Sequence, residues 1–192
     1  MVFSHAFAGA ALTKLIKKTV SKKMFKKHQN IFYFVGIIAA ILPDLDIISM
    51  LFDTSIRHRE LLSHSLLPYV LISLIIWIIS QIKESKPLAL ISVIFLVGTL
   101  SHLFFDYVAG GIALLAPFTD KIYGYAINLP SDPPLLWLST YMKSKYMIME
   151  FFVFWLYVLA IKKDKNLILK LLPLFLFVVA SGMIIVLALF VF

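Results

Sequence analysis

PLALISVIFLVGTLSHLFFDY, residues 87–107, is long and apolar enough to cross a bilayer, yet its second half carries His102 and Asp106. A span needs about 20 mainly apolar residues. Ionisable groups inside one are costly, face the interior or a water-filled cavity, and default to functional hypotheses. Residues four apart share one face of an α-helix. The imidazole and the carboxylate can therefore meet at one point, either as a packed hydrogen-bonded contact or as two ligands of something bound there.

The rest of the chain fits the same setting. Of its 192 residues, 61% are hydrophobic and 15% charged, with a mean hydropathy of +0.97; a soluble domain is about half apolar and a quarter charged. The other candidate spans are Val2–Ile16 (short), Ile31–Met50, Ser65–Ile82, Tyr146–Ile161 (also short) and Leu167–Phe190. Ser65 with Pro68 looks like a helix start, and Gly110–Gly111 like the end of the fourth span. The connection from Ala113 to Lys145 is proline-rich; within it, LPSDPPLLWL could dip into the outer leaflet. No internal repeat is visible. The expectation is a single all-α, polytopic membrane domain over residues 1–192, with about six transmembrane or re-entrant segments around a buried polar layer.

Charge supplies the topology. The net charge of +8 would suit a nucleic-acid binder, but the lysines cluster in short segments between apolar runs, as topology determinants do. Lys14–Lys27, Lys83 and Lys86, and Lys162–Lys170 hold 13 of the 18 basic residues, and they alternate along the chain with the sparser connections. The lysine-rich set is expected in the cytoplasm, with both termini outward. Lysines follow rather than precede the first apolar stretch, so an uncleaved N-terminus is expected. With no cysteine, disulfides and thiolate metal sites are excluded.

That topology gathers the polar residues. His5, Asp44, Asp46, His58, His64, His102, Asp106 and Glu150 all fall near the outer face; of the five histidines only His28 does not. Imidazole and carboxylate donors together suit zinc, manganese or iron, and so many candidates leave room for two ions. Two metals would acidify a bound water and clamp the attacking and leaving oxygens of a displacement. Asp44 and Asp46 are two apart, so one could bind metal while the other orients a ligand or caps a helix. His58 and His64, six apart, share no helical stripe, so their segment must bend or divide the work. Arg59 beside a metal could clamp a phosphate or carboxylate oxygen; as a loop cation it could equally meet lipid headgroups. Read singly, each residue also has an ordinary structural role; their shared depth is what argues for a site.

SHAFAGA (4–10), LPDLD (42–46), HRELLSHS (58–65), GTLSHLFFDY (98–107) and GGIALLAPF (110–118) resemble, in order, the pattern of the YdjM-like inner-membrane metal-dependent hydrolases, some of which are described as LexA-binding. That family in turn looks like a distant relative of zinc-dependent phospholipase C and P1-type nucleases. The resemblance implies metal ligation by Asp44 or Asp46, His58, His102 and Asp106, with His5 and His64 added by the family's own motifs. It also has a gap: Tyr146 stands where the soluble relatives carry a histidine before the residue matching Glu150, which puts a three-metal cluster in doubt.

The expected function is hydrolysis at the inner membrane of a phosphate ester in a lipid or lipid-linked substrate. Water would be activated by one or two divalent metal ions, zinc first, with Arg59 and Asp46 assisting. Two other readings stay open. One is an ion or proton transporter with a His/Asp relay, although the inner halves of spans three, five and six carry almost no polar groups. The other is a non-catalytic membrane scaffold or regulator that meets a soluble protein through its lysine-rich segment.

Overall fold

The computed structural model describes residues 4–46, 59, 61–125 and 143–190. Among these residues the regular structure is helical apart from one isolated bridge, between Ile112 and Tyr123. The α-helices are α1 (His5–Ile16), α2 (Lys22–Ile41), α3 (Leu67–Ile82), α4 (Lys86–Ala109), α5 (Lys145–Ile161) and α6 (Leu167–Phe190). Two 3-10 turns, Leu42–Asp46 and Leu62–His64, complete the list.

Local chemistry sets several of the boundaries. Ser21, Ser85 and Ser144 each accept a bond from a backbone N–H in the first turn of α2, α4 and α5, the usual N-cap arrangement. Pro87 and Pro68 sit in first turns, where a missing N–H costs nothing. Helix α4 ends at Gly110, as the Gly–Gly pair suggests. Helix α3 departs slightly from expectation: it begins at Leu67, and the Ser65 hydroxyl bonds the Leu62 carbonyl rather than capping it.

The bundle is built around α1, which packs against α2, α4, α5 and α6. Small residues allow the closest approaches. A Cβ at Gly9 would collide with the Gly36 carbonyl, and one at Gly98 would lie 2.9 Å from both Ala39 Cβ and the Gly36 carbonyl. Backbones held this close are typical of helix packing in lipid. The apolar surface is on the outside. Leu71, Ile75 and Trp77 of α3 and Phe151, Phe152 and Trp155 of α5 are all exposed, too large an apolar area to leave in water.

Among the described residues, two helical segments are long and apolar enough to cross a membrane, Lys22–Asp46 and α4. Helix α1, with 12 residues, is about 18 Å long; it is a buried core helix in a position where the sequence suggested a short span. Of the Ala113–Lys145 connection, residues up to 125 fold back on the end of α4: Ile112 pairs with Tyr123, and Tyr125 N–H bonds the Tyr107 carbonyl. The LPSDPPLLWL stretch lies outside the described residues.

Candidate metal centre

The site forms where α2 ends. Pro43 has no N–H to continue the α-helical ladder, and LPDLD tightens into the 3-10 turn that carries Asp44 and Asp46. In the last α turn before it, the Ala40 carbonyl lies 2.8 Å from Nδ1 of His102 on α4. A carbonyl can only accept, so Nδ1 of His102 carries the proton and Nε2 is left with its lone pair.

His64 arrives in the same way. Leu61 is extended, and Leu62–His64 then turns back as a 3-10 helix, burying the imidazole completely. Its Nδ1 lies 3.0 Å from Asp46 Oδ2, which also accepts the Ser63 hydroxyl at 2.7 Å. Its Nε2 points the other way, 3.4 Å from Nε2 of His102. Tyr69 steadies the turn by donating its hydroxyl proton to the Ser63 carbonyl.

Two carboxylate oxygens join the imidazoles. His102 Nε2 lies 3.4 Å from Asp44 Oδ1 and 3.3 Å from Asp106 Oδ2; His64 Nε2 lies 3.6 Å and 3.4 Å from the same two atoms. With the imidazole tautomers fixed by Ala40 and Asp46, these four atoms are all acceptors turned on one another. Such an arrangement is repulsive unless protons or a cation lie between them. All four atoms lie within 4.8 Å of one another, close enough to share one cation. The donor set can therefore hold a metal ion.

Charge points the same way. Asp44, Asp46 and Asp106 bring three negative charges, and Arg59 returns one positive charge through a 3.0 Å contact between its Nη2 and Asp106 Oδ1. Burial pushes the His64 imidazole toward neutrality, but its contacts with Asp106, Asp44 and Asp46 outweigh burial and raise its pKa to about 10. With no cation bound, protons hold the cluster together.

The sequence-level candidates thus divide. Asp44, His64, His102 and Asp106 converge; Asp44 is the most open of them, 23% exposed against 0% for the other three. Asp46 stands behind His64. His5 lies outside the four-donor group: its ring stacks on His102 with centroids 3.8 Å apart, and its Nε2 is 3.5 Å from Asp106 Oδ1. Glu150 is buried on α5 and is likewise outside that group. His58 lies outside the described residues. Arg59 reaches Asp106 and, at 3.4 Å, the Ala109 carbonyl. Sequence reasoning missed Ser63, Tyr69 and the Ala40 carbonyl. Ser63 and Tyr69 flank His64 in the chain but match no metal-binding pattern, and a backbone carbonyl has no sequence signature.

A bundle with apolar outer faces and a buried two-histidine, two-aspartate cluster defines a helical membrane protein equipped to bind a metal ion. The chain belongs to the YdjM inner membrane protein family, which it matches over residues 1–188. The match extends past the motif-bearing half to include α5 and most of α6. No curated protein and no solved structure matches it.

Proposed function

We propose that this protein is a membrane-embedded hydrolase that uses one divalent cation, zinc by its mixture of imidazole and carboxylate donors, to cleave a phosphate ester of a lipid or lipid-linked substrate. The observation that carries the reading is the convergence of four acceptors with both imidazole tautomers fixed from behind. Asp44, His64, His102 and Asp106 hold the ion; Asp46 and the Ala40 carbonyl orient the two rings. Bound there, the cation supplies Lewis acidity and a water of lowered pKa. Asp44 lies on the open side, where a substrate oxygen would approach. The resemblance to phospholipase C and P1-type nucleases favours phosphoryl chemistry. Apolar outer faces on α3 and α5 favour a substrate that arrives from the bilayer. In this reading all six helices cross or dip into the membrane, both termini face outward, and the site opens to the outer side.

A second reading has its own observation. Four protein donors are the number that structural zinc sites use; catalytic ones keep a position open. The cluster would then fasten the 3-10 turns to α4 in a non-catalytic scaffold. Purified protein should carry about one equivalent of zinc by mass spectrometry and hydrolyse a phosphodiester or phospholipid in mixed micelles. Both properties should be absent from His102→Ala at matched helicity. Metal without turnover on any phosphate ester would favour the scaffold, and neither metal nor turnover would end both readings.

A further inference from the structure

Arg59 has an unusual conformation. Its φ is +74°, a left-handed backbone that side chains other than glycine rarely adopt. It is held there at both ends. Its carbonyl accepts the Ala113 N–H at 3.0 Å. Its guanidinium reaches across Gly110 to place Nη2 3.0 Å from Asp106 Oδ1 and Nη1 3.4 Å from the Ala109 carbonyl. The last carbonyls of a helix carry partial negative charge, so one planar fork answers both a carboxylate and a helix end.

Asp106 is thereby used on both sides. Its Oδ2 faces His64 and His102 in the donor cluster, and its Oδ1 faces Arg59 and His5. A carboxylate free to rotate would present either oxygen to a cation, or both. One with a guanidinium on Oδ1 presents only Oδ2, and the positive charge there opposes a second metal bridging through the same group. Nη1 and Nη2 each face an acceptor of the protein, which holds the fork on Asp106 and on the end of α4.

We infer that Arg59 is a positioning residue: it fixes Asp106 with one oxygen toward the metal and restricts the centre to a single cation. The inference rests on the metal-site reading above. Gly110 belongs to the same device, because a Cβ there would lie 2.6 Å from Nη1 with no backbone atom nearby. Alanine there changes no charge, and the nearest atom that its Cβ would meet is Nη1 of Arg59.

The test is cobalt binding to the full chain in detergent, read by stoichiometry, chelator competition and the ligand-field spectrum that distinguishes four-coordinate from higher-coordinate cobalt. The native protein should take one cobalt, and its spectrum sets the reference coordination. Arg59→Met should weaken binding about 10- to 100-fold, as loss of an outer partner does, and should change that spectrum. Arg59→Lys should recover part of it, since a point charge replaces one arm of the fork. Gly110→Ala should behave like Arg59→Met while keeping every charge, so it carries the test if Arg59→Met fails to fold. Arg59→Met and Gly110→Ala with native affinity and spectrum would overturn the inference and return Arg59 to the role of a substrate clamp. Two cobalt ions in the native protein would overturn the single-cation restriction. No cobalt in the native protein would overturn the metal-site reading itself, a result distinguishable from the others.

Discussion

Nδ1 of His64 lies 3.0 Å from Oδ2 of Asp46, on the side of the ring away from the donor cluster, while Nε2 faces Asp44, His102 and Asp106. The two aspartates of LPDLD therefore have different duties. Asp44→Ala removes a donor and should abolish tight zinc binding. Asp46→Ala leaves all four donors and should weaken zinc about 10- to 100-fold, the usual cost of losing the carboxylate behind a ligating histidine. Competition against a zinc chelator measures both. Equal losses in the two variants would mean that Asp46 is itself a ligand.

Sequence alone could not make that division. In a 3-10 turn of about three residues, positions two apart diverge widely, and which of them meets α4 depends on the exact angle at which α2 ends. The paired His102 and Asp106 were legible because α-helical spacing is independent of the rest of the fold, and both do reach one point. The spacing of His58 and His64 left a bend or a division of work open; the extended Leu61 and the 3-10 turn after it are what bring in His64. The role of α1 was not, because a 12-residue apolar helix reads alike as a buried core element and as a short span. Nor was the contact between Arg59 and Asp106, which depends on a left-handed residue that nothing in HRELLSHS announces.

Metal removal should destabilise the protein measurably. A ligand at 100 times its Kd stabilises the state that binds it by about 2.7 kcal/mol, which for a chain of this length is roughly 5 to 10 °C in Tm. Adding chelator to zinc-loaded protein should lower the melting temperature by that order, and restoring zinc should reverse the change. His102→Ala and Asp106→Ala should melt at one temperature with or without zinc. A zinc-dependent shift of native size in either variant would place the stabilising ion elsewhere.

Zinc affinity should rise with pH. An imidazole must give up its Nε2 proton before it can donate that lone pair. His64 faces carboxylates that favour the protonated ring when no cation is present. Protonation therefore competes with the metal, and lowering the pH favours the protons. Between pH 8 and pH 6 the apparent affinity should fall, and zinc added to lightly buffered protein should release protons detectable with an indicator dye. A flat profile with no release would mean that the rings are already neutral before the cation arrives.

The helix crossing beneath the site is tightly constrained. A Cβ at Gly98 would sit 2.9 Å from Ala39 Cβ and from the Gly36 carbonyl, one turn before His102 on the same helix. Gly98→Val must push α4 away from α2, at the 1–3 kcal/mol typical of overpacking, and must lengthen the bond from His102 Nδ1 to Ala40. Lower thermal stability and weaker zinc binding should appear together. Gly182→Ala is the control, since a Cβ there meets nothing within 4 Å; it should leave both unchanged. Native zinc affinity in Gly98→Val would uncouple the packing from the site.

The sidedness of the site can be read directly, because the chain has no cysteine of its own. Lys18, Lys163 and Lys121 are all exposed, the first two in lysine-rich segments and the third in the fold-back after α4. Basic residues accumulate on the cytoplasmic side of membrane proteins. The Lys121→Cys variant should therefore react with an impermeant maleimide in cells whose outer barrier has been opened and whose inner membrane is intact. Lys18→Cys and Lys163→Cys should react only after the inner membrane is permeabilised. The site lies at the end of α2 opposite the lysines: Asn30, which contacts Asn166 near their end, is fourteen residues from Asp44, about 21 Å along a helix. Whichever face labels Lys121→Cys is thus the face from which the metal centre opens. Labelling of Lys18→Cys from outside would turn the protein over and make its substrate a cytoplasmic-leaflet one.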